Sequence, residues 1–328
     1  MRKAPALAAA LLPALALGSL ASDFSRGAVG TSGSEFLLTD IGVRGISMGG
    51  AYSAVVDDAT SLYWNPAGLI HVPRLSASFM YADQVAGISN QSIDYAQRID
   101  DASVLGAGVR YQDLGDISQT DISGNTMGTF HPRNYVAEVG WGQSIYDLSD
   151  SEMDVAMGVV GRWIHSSDLL SANGYGGDIG IQTRFFNWIC PYDLALAAQN
   201  LGSGQKFDKM RDPLPFRARL GGAIQPEKGL TVSLEGIFPA NDAPEGALGA
   251  EYVLEVDRNV KAAVRAGFNT LTIDSLGAAT AFSAGMGVTV GDFSFDYAYV
   301  PYGVLGNVQR FSISFNLPAK SSRRSAER

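Results

Sequence analysis

From about residue 74 to residue 317, apolar and polar side chains alternate almost one for one. Phe293, Phe295, Tyr297 and Tyr299 are interleaved with Ser294, Asp296 and Ala298, and Phe311, Ile313, Phe315 and Leu317 with Arg310, Ser312, Ser314 and Asn316. Successive side chains of a strand project to opposite faces of a sheet, so a period of two predicts strands and disfavours helix. The template finds about fourteen segments: 74–83, 87–97, 103–112, 134–143, 153–165, 174–186, 192–199, 215–225, 230–238, 245–253, 260–268, 279–290, 292–301 and 308–317. Their length of about ten residues is roughly twice that of an ordinary globular strand and matches a tilted strand crossing a bilayer. Past the first twenty or so residues, no apolar run approaches the length a transmembrane helix requires. The expected fold is all-β: a transmembrane antiparallel β-barrel of about 14 strands.

Charge supports that reading. Arg110, Glu138, Arg162, Asp178, Arg184, Arg217, Arg219, Glu235, Glu251, Lys261, Arg265, Asp296 and Arg310 all fall on the polar face of their segments. In a membrane barrel such residues line the lumen and the apolar face meets lipid; in a soluble barrel the same alternation is inverted. Connection lengths separate the two. Long stretches such as 113–133 and 200–214 alternate with tight turns such as 226–229 and Gly291, as in barrels with long outer loops and short periplasmic turns. Trp141, Trp163, Tyr81, Tyr111 and Phe268 stand near segment ends, where interfacial aromatic girdles form.

Residues 1–21 read as a secretory leader: Arg2 and Lys3, an apolar stretch, then Ser19-Leu20-Ala21 as a small-residue cleavage site. A formal charge of −9 argues against nucleic-acid binding, which needs a concentrated basic face. One cysteine, Cys190, excludes an intrachain disulfide, and His71, His131 and His165 lack the spacing of a metal site. No metal or cofactor is expected. Asp113, Asp116 and Asp121 lie close in sequence but lack the ligand spacing of a calcium loop. Residues 318–328 form a basic tail, with Lys320, Arg323, Arg324 and Arg328 against Glu327, expected to be solvated on the periplasmic side.

Between residues 22 and 73 the alternation is absent. Gly49, Gly50, Ala51, Ser53 and Ala54 are small enough to lie against another backbone. Asp57 and Asp58 are placed to cap a short helical run over 59–64, which Asn65-Pro66 terminates. Such a segment cannot bury itself. A lumen with inward glycines (Gly106, Gly108, Gly140, Gly142, Gly158, Gly180, Gly285, Gly287) offers a container, which predicts an N-terminal hatch over 22–73 inside a barrel over 74–317.

The run GVRGISMGGAYSAVVDDATSLYWNPAGL (42–69) resembles the N-terminal signature of the PorV/PorQ family of outer-membrane proteins, relatives of the FadL-type fatty-acid channels. Its motif positions are Gly45, Gly49, Gly50, Ala51, Asp57, Asp58, Asn65, Pro66, Ala67 and Gly68. Further likeness lies in Gln199-Asn-Leu-Gly202, Asp212-Pro-Leu-Pro215, Arg219-Leu-Gly-Gly222 and the closing hairpin around Asp296 and Phe311-Ser-Ile-Ser314. The resemblance implies a fourteen-stranded barrel with a hatch, in the outer membrane of a Gram-negative-type bacterium. It implies one of two roles: handling secreted protein cargo beside type IX secretion components, or FadL-like uptake of a hydrophobic ligand such as a long-chain fatty acid. The polar lumen face favours cargo. No GxSxG elbow accompanies the Ser/His pairs near His165, so an enzyme is not expected.

Overall fold

The computed structural model describes residues 29–147, 153–186, 190–207, 209 and 211–318; the leader 1–21, hatch residues 22–28 and the tail 319–328 lie outside them. Sixteen strands follow one another along the described chain: β1 (Leu75–Asp83), β2 (Ser89–Arg98), β3 (Ser103–Asp113), β4 (Ile117–Thr120), β5 (Thr126–Phe130), β6 (Arg133–Asp147), β7 (Met153–Ser167) and β8 (Ser171–Phe185). They continue as β9 (Tyr192–Ser203), β10 (Arg217–Glu227), β11 (Leu230–Pro239), β12 (Glu245–Asp257), β13 (Val260–Asn269), β14 (Phe282–Val290), β15 (Phe293–Pro301) and β16 (Asn307–Leu317). All but β4 and β5 form one closed antiparallel barrel of fourteen strands in chain order. β1 pairs with β16 from Leu75↔Leu317 to Asp83↔Gln309, and that closure removes the free edge an open sheet would carry.

Period two sorts the side chains. Along β2 the burial alternates so that Asn90, Ser92, Asp94 and Ala96 face inward, while Ile93 and Tyr95 face out. On the outer surface stand Val139, Leu234, Leu248, Val264, Phe295 and Ile313, each largely exposed. An outer face this apolar suits hydrocarbon, not water. Aromatic rings gather near both rims. Tyr111, Tyr135, His165 and Trp163 form one chain of ring contacts with centroids 5.1–6.1 Å apart, and Phe268 meets Phe282 near the same rim. Near the opposite rim, Phe185 stacks on Tyr192 and Phe293 leans on Phe315.

The long connections 114–132, 204–216 and 270–281 all emerge at one rim, and the turns 228–229, 258–259 and 291–292 at the other. β7 and β8 run further than the alternation indicates and leave only 168–170 between them. Two features of the long rim do not follow from the alternation. A four-residue helix, α3 (Ile273–Leu276), sits in the connection before β14. The β4–β5 hairpin stands on the connection after β3, its strands too short for the period-two template. Asp121 makes its tip, with Oδ1 accepting from Ser123 N at 2.8 Å and Asn125 N at 2.9 Å.

At the base of that hairpin, His131 Nδ1 lies 2.6 Å from Asp116 Oδ1, and its Nε2 lies 2.7 Å from Asp113 Oδ1. Only the doubly protonated ring donates to both. The hydrogen bonds to Asp116 and then Asp113 accordingly raise the imidazole above its ordinary value, with Arg133 opposing. A raised folded-state value means the clamp is complete below about pH 6.5, the unfolded reference, and is lost as pH rises through the raised value. Limited proteolysis should therefore spare residues 114–132 at pH 6 and nick them at pH 9, whereas His131→Gln should be nicked at both. Equal cleavage of the intact chain at the two values would show that the clamp does not hold the hairpin.

The hatch seat as candidate functional site

Residues 29–73 run through the lumen from the long-loop rim to the short-turn rim. At the upper end Gly33 N donates to Pro213 O at 2.9 Å, and Ser34 Oγ donates to Gln205 at 2.7 Å. At the lower end the Arg98 guanidinium holds the carbonyls of Ile70, Val72 and Pro73. Between them lie α1 (Val43–Ser47), α2 (Ser61–Trp64) and a 3₁₀ turn over Pro66–His71. Each helix is one turn long, too short to be stable alone, so their order comes from packing. Trp64 is the centre of that packing. It is fully buried, its Nε1 donates to Ile41 O at 2.7 Å, and Tyr52 and Tyr63 meet its ring edge-on at 5.5 and 5.0 Å.

Missing side chains on the wall make the room. A Cβ on Gly158 would stand 2.2 Å from the Pro66 carbonyl carbon, one on Gly180 1.9 Å from Asn65 Oδ1, and one on Gly285 2.0 Å from Ser47 Oγ. Gly106, Gly140 and Gly142 accept Leu62 and Leu69 in the same way. Gly108 and Gly287 differ: their space is taken by wall carboxylates, those of Asp94 and Glu138 at one and Asp296 at the other. Gly221, Gly249 and Gly267 also admit the hatch, against Ser53, Met48 and Gly49, though nothing local in the sequence marks them as contacts.

The motif residues serve this fit. Gly45 packs under Trp64 and Tyr52, where a Cβ would lie 2.6 Å from the indole. Gly49 and Gly50 adopt φ of 68° and 84°, turning the chain after α1 so that Gly49 lies on the backbone of Phe268. Ala51, Pro66, Ala67 and Gly68 are buried. Asn65 joins hatch to hatch and hatch to wall: Nδ2 donates to Ser53 O at 3.1 Å and Ile181 O at 3.3 Å, and Oδ1 accepts from Ala67 N at 3.1 Å. Asp58 turns the chain into α2 by accepting from Thr60 N and Oγ1 at 2.8 and 2.5 Å. Asp57 does not cap. Its carboxylate is drawn away by Arg44, 2.7 Å distant, which corrects the capping role expected for it.

The wall charges fall into two networks. Across β3, β6, β7 and β8, Arg110 pairs with Glu138 at 2.6 Å, and Arg162 with Glu138 at 3.3 Å and Asp178 at 2.5 Å, all from the barrel itself. Arg110 also faces the Tyr63 ring at 4.8 Å. The opposite wall binds the hatch directly. Glu235 accepts from Tyr52 N at 2.8 Å, Ser53 N at 2.9 Å and Arg219 Nε, while Arg219 donates to Gly50 O at 2.6 Å and lies over Trp64. Arg44 of α1 grips Glu251 with two hydrogen bonds of 2.8 and 2.7 Å, and Arg265 links Glu251 to Asp296 at 2.6 Å each. Arg217 donates to Tyr63 Oη at 2.7 Å, and Arg310 to Asp40 O at 2.9 Å. Two residues stand apart: Arg184 pairs with Asp193 at 2.8 Å and is a quarter exposed, and Lys261 is exposed at the mouth of a cavity.

That cavity, of about 330 Å³, opens at the short-turn rim between α1 and β12–β16. Arg44, Asp57, Glu251, Lys261, Arg265 and Asp296 line it together with serine and threonine hydroxyls. Val43, Val253, Ala262 and Ala263 add apolar surface between these groups. Among the described residues no group of His, Cys, Asp or Glu could hold a metal ion, and the three aspartates of 113–121 are spent on His131 and on the hairpin tip.

Residues 23–193 match the family described as type IX secretion system protein PorV, more than half of the chain. The chain belongs to the PorV family. Among solved structures, its fold is similar to the toluene transporter TbuX of Ralstonia pickettii (TM-score 0.57, 13% identity, covering 86% of this chain and 100% of that one). It is also similar to the monoaromatic hydrocarbon channel CymD (0.58, 11%, 87% and 99%) and to a FadL homologue of Pseudomonas aeruginosa (0.53, 11%, 84% and 98%). No curated protein matches. Family and fold together make this PorV-family chain an outer-membrane β-barrel, with a fold similar to that of FadL-type channels.

Two substitutions test the seat. Glu235→Ala leaves the Arg219 guanidinium, 1% exposed, without its partner, a loss of about 3–5 kcal/mol for a buried pair. Gly180→Val forces Asn65 off the wall, at about 1–3 kcal/mol or more. Both should make residues 43–69 cleavable by protease in folded, heat-modifiable barrels; unchanged resistance would show that the seat does not hold the hatch.

Proposed function

We propose that this barrel handles secreted protein cargo at the outer membrane as part of, or beside, a type IX secretion apparatus, and that its lumen does not conduct. In this reading the leader is removed after Ala21, the long-loop rim faces outward, and the turns 228–229, 258–259 and 291–292 face the periplasm. The observation that carries it is the filling of the lumen. The hatch reaches both rims, buried charges bond its backbone to the wall, and the open space beneath it is lined with charge and hydroxyls. The family match supplies the secretion context. Cargo or secretion components would meet the protein on the outer rim, most directly on the connections 114–132 and 204–216.

The likeness to hydrocarbon channels favours a second reading, uptake of a hydrophobic solute. Uptake needs an apolar path. A niche beside the upper hatch, lined by Phe36, Leu37, Ile41 and Val136 together with Arg110 and several amides, measures about 20 Å³, room for a single water. Uptake would therefore require the hatch to leave contacts that bury charge.

Deletion of the gene separates the two. The cargo reading expects other proteins to disappear from the cell surface while growth on oleate or toluene is unchanged. Loss of growth on the hydrophobic carbon source with an intact surface proteome would replace it with uptake.

A further inference from the structure

Phe36, Leu37, Thr39 and Ile41 of the upper hatch close a niche of about 20 Å³ against the inner face of β2, β3 and β6. Three amides cross the wall there as a relay with one direction. Asn134 Nδ2 donates to Gln112 Oε1 at 2.9 Å, and Gln112 Nε2 donates to Asn90 Oδ1 at 3.0 Å. The relay fixes the orientation of the Asn90 amide, so its Nδ2 is a donor, and it has no partner. Arg110, a diagonal neighbour of Asn90 across the β2–β3 ladder, also lines the niche. Its Nε and Nη1 have no partner either. Asn90 and Arg110 are 5% and 7% exposed, so bulk water does not reach these donors.

The donors define their occupant. Among the described residues that line the niche, Arg110 is the one charged side chain. The carboxylates that act on it, Glu138 and Asp94, lie outside the lining. Glu138 takes up Nη2 with bonds of 2.6 and 2.9 Å, and Asp94 accepts from Ser92 Oγ at 3.0 Å. Tyr63 meets the guanidinium by its ring face, at 4.8 Å, and leaves Nε and Nη1 unbonded. The relay already uses the side-chain oxygens of Asn90 and Gln112. A water accepts two hydrogen bonds and brings two O–H donors that need acceptors of their own. A halide ion accepts from every side, donates nothing and forms charge-assisted bonds with a guanidinium. The space exceeds the roughly 10–15 Å³ that one water requires and is too small for a polyatomic anion.

We infer that this niche is a site for one monovalent halide ion, chloride in a saline medium, held by Asn90 Nδ2 and by Nε and Nη1 of Arg110. Seated there, the ion fastens the hatch segment 36–41 to β2 and β3. The site is independent of the cargo reading, since it requires only the seated hatch.

Crystals of the full-length protein grown with sodium bromide as the sole halide test it, with diffraction recorded at the bromine absorption edge. An anomalous peak is expected between Asn90 and Arg110. It should vanish in Asn90→Asp, which puts a carboxylate where the donor stood, and in Val136→Leu, which fills the niche. In solution, the folded band on an unboiled gel should survive to a temperature several degrees higher in sodium chloride than in sodium gluconate at equal ionic strength. Both variants should lose that difference while keeping heat-modifiable migration; if Asn90→Asp does not fold, Val136→Leu alone decides. An ordered water without anomalous signal would overturn the proposal, as would a peak that survives Val136→Leu. A peak in the crystal with equal stability in chloride and gluconate would mean binding at crystal concentration only, and would overturn it too.

Discussion

A charge enclosed in a barrel must find its partner inside, because the lipid outside offers none. The two networks meet that demand differently. Between β3 and β8 the wall pairs its own carboxylates and guanidinium groups, and would remain paired with the lumen empty. Between β10 and β14 it also pairs its own, Glu235 with Arg219 and Arg265 with Glu251 and Asp296, but the hatch bonds to the same groups: two amides on Glu235, the Gly50 carbonyl on Arg219 and Arg44 on Glu251. One half of the barrel thus gains polar partners from the amino-terminal segment that the other half does not need. The hatch in turn, with helices of a single turn, depends on the wall for its shape.

This mutual dependence separates the chain's chemistry from its shape. Its outline is that of channels for small aromatic hydrocarbons, yet identities of 11–14% carry only the fold, and function follows from what lines the interior. Here the spaces left beneath the hatch are bordered by guanidinium groups, carboxylates and hydroxyls.

Much of the architecture was legible because a membrane barrel writes a strict code. Every second residue of β15 or β16 must suit lipid, so Phe293 to Tyr299 and Phe311 to Leu317 announce their strands. The hatch was legible by exclusion and by its motif, since a small-residue run with neither alternation nor an amphipathic face has to be enclosed. Pairing was not legible. Nothing near Asp57 in sequence shows that Arg44, thirteen residues earlier, would take its carboxylate, and Glu235 meets Tyr52 and Ser53 across more than 180 residues. The β4–β5 hairpin escaped because its order rests on an Asx turn and a histidine clamp instead of on burial, and burial is what periodicity reports.

Membrane insertion and the hatch-filled lumen both depend on the direction in which the two faces of the wall point, and spin labels read that directly. Single labels at Val139, Leu234 and Ile313, each largely exposed on the outer face, can be compared in lipid bilayers for collision with oxygen and with a water-soluble nickel chelate. Oxygen should dominate at all three positions, as it does in hydrocarbon. Labels that meet the nickel chelate freely while oxygen contact stays low would place this face in water, and the hatch-filled lumen could then not be the inside of a membrane barrel.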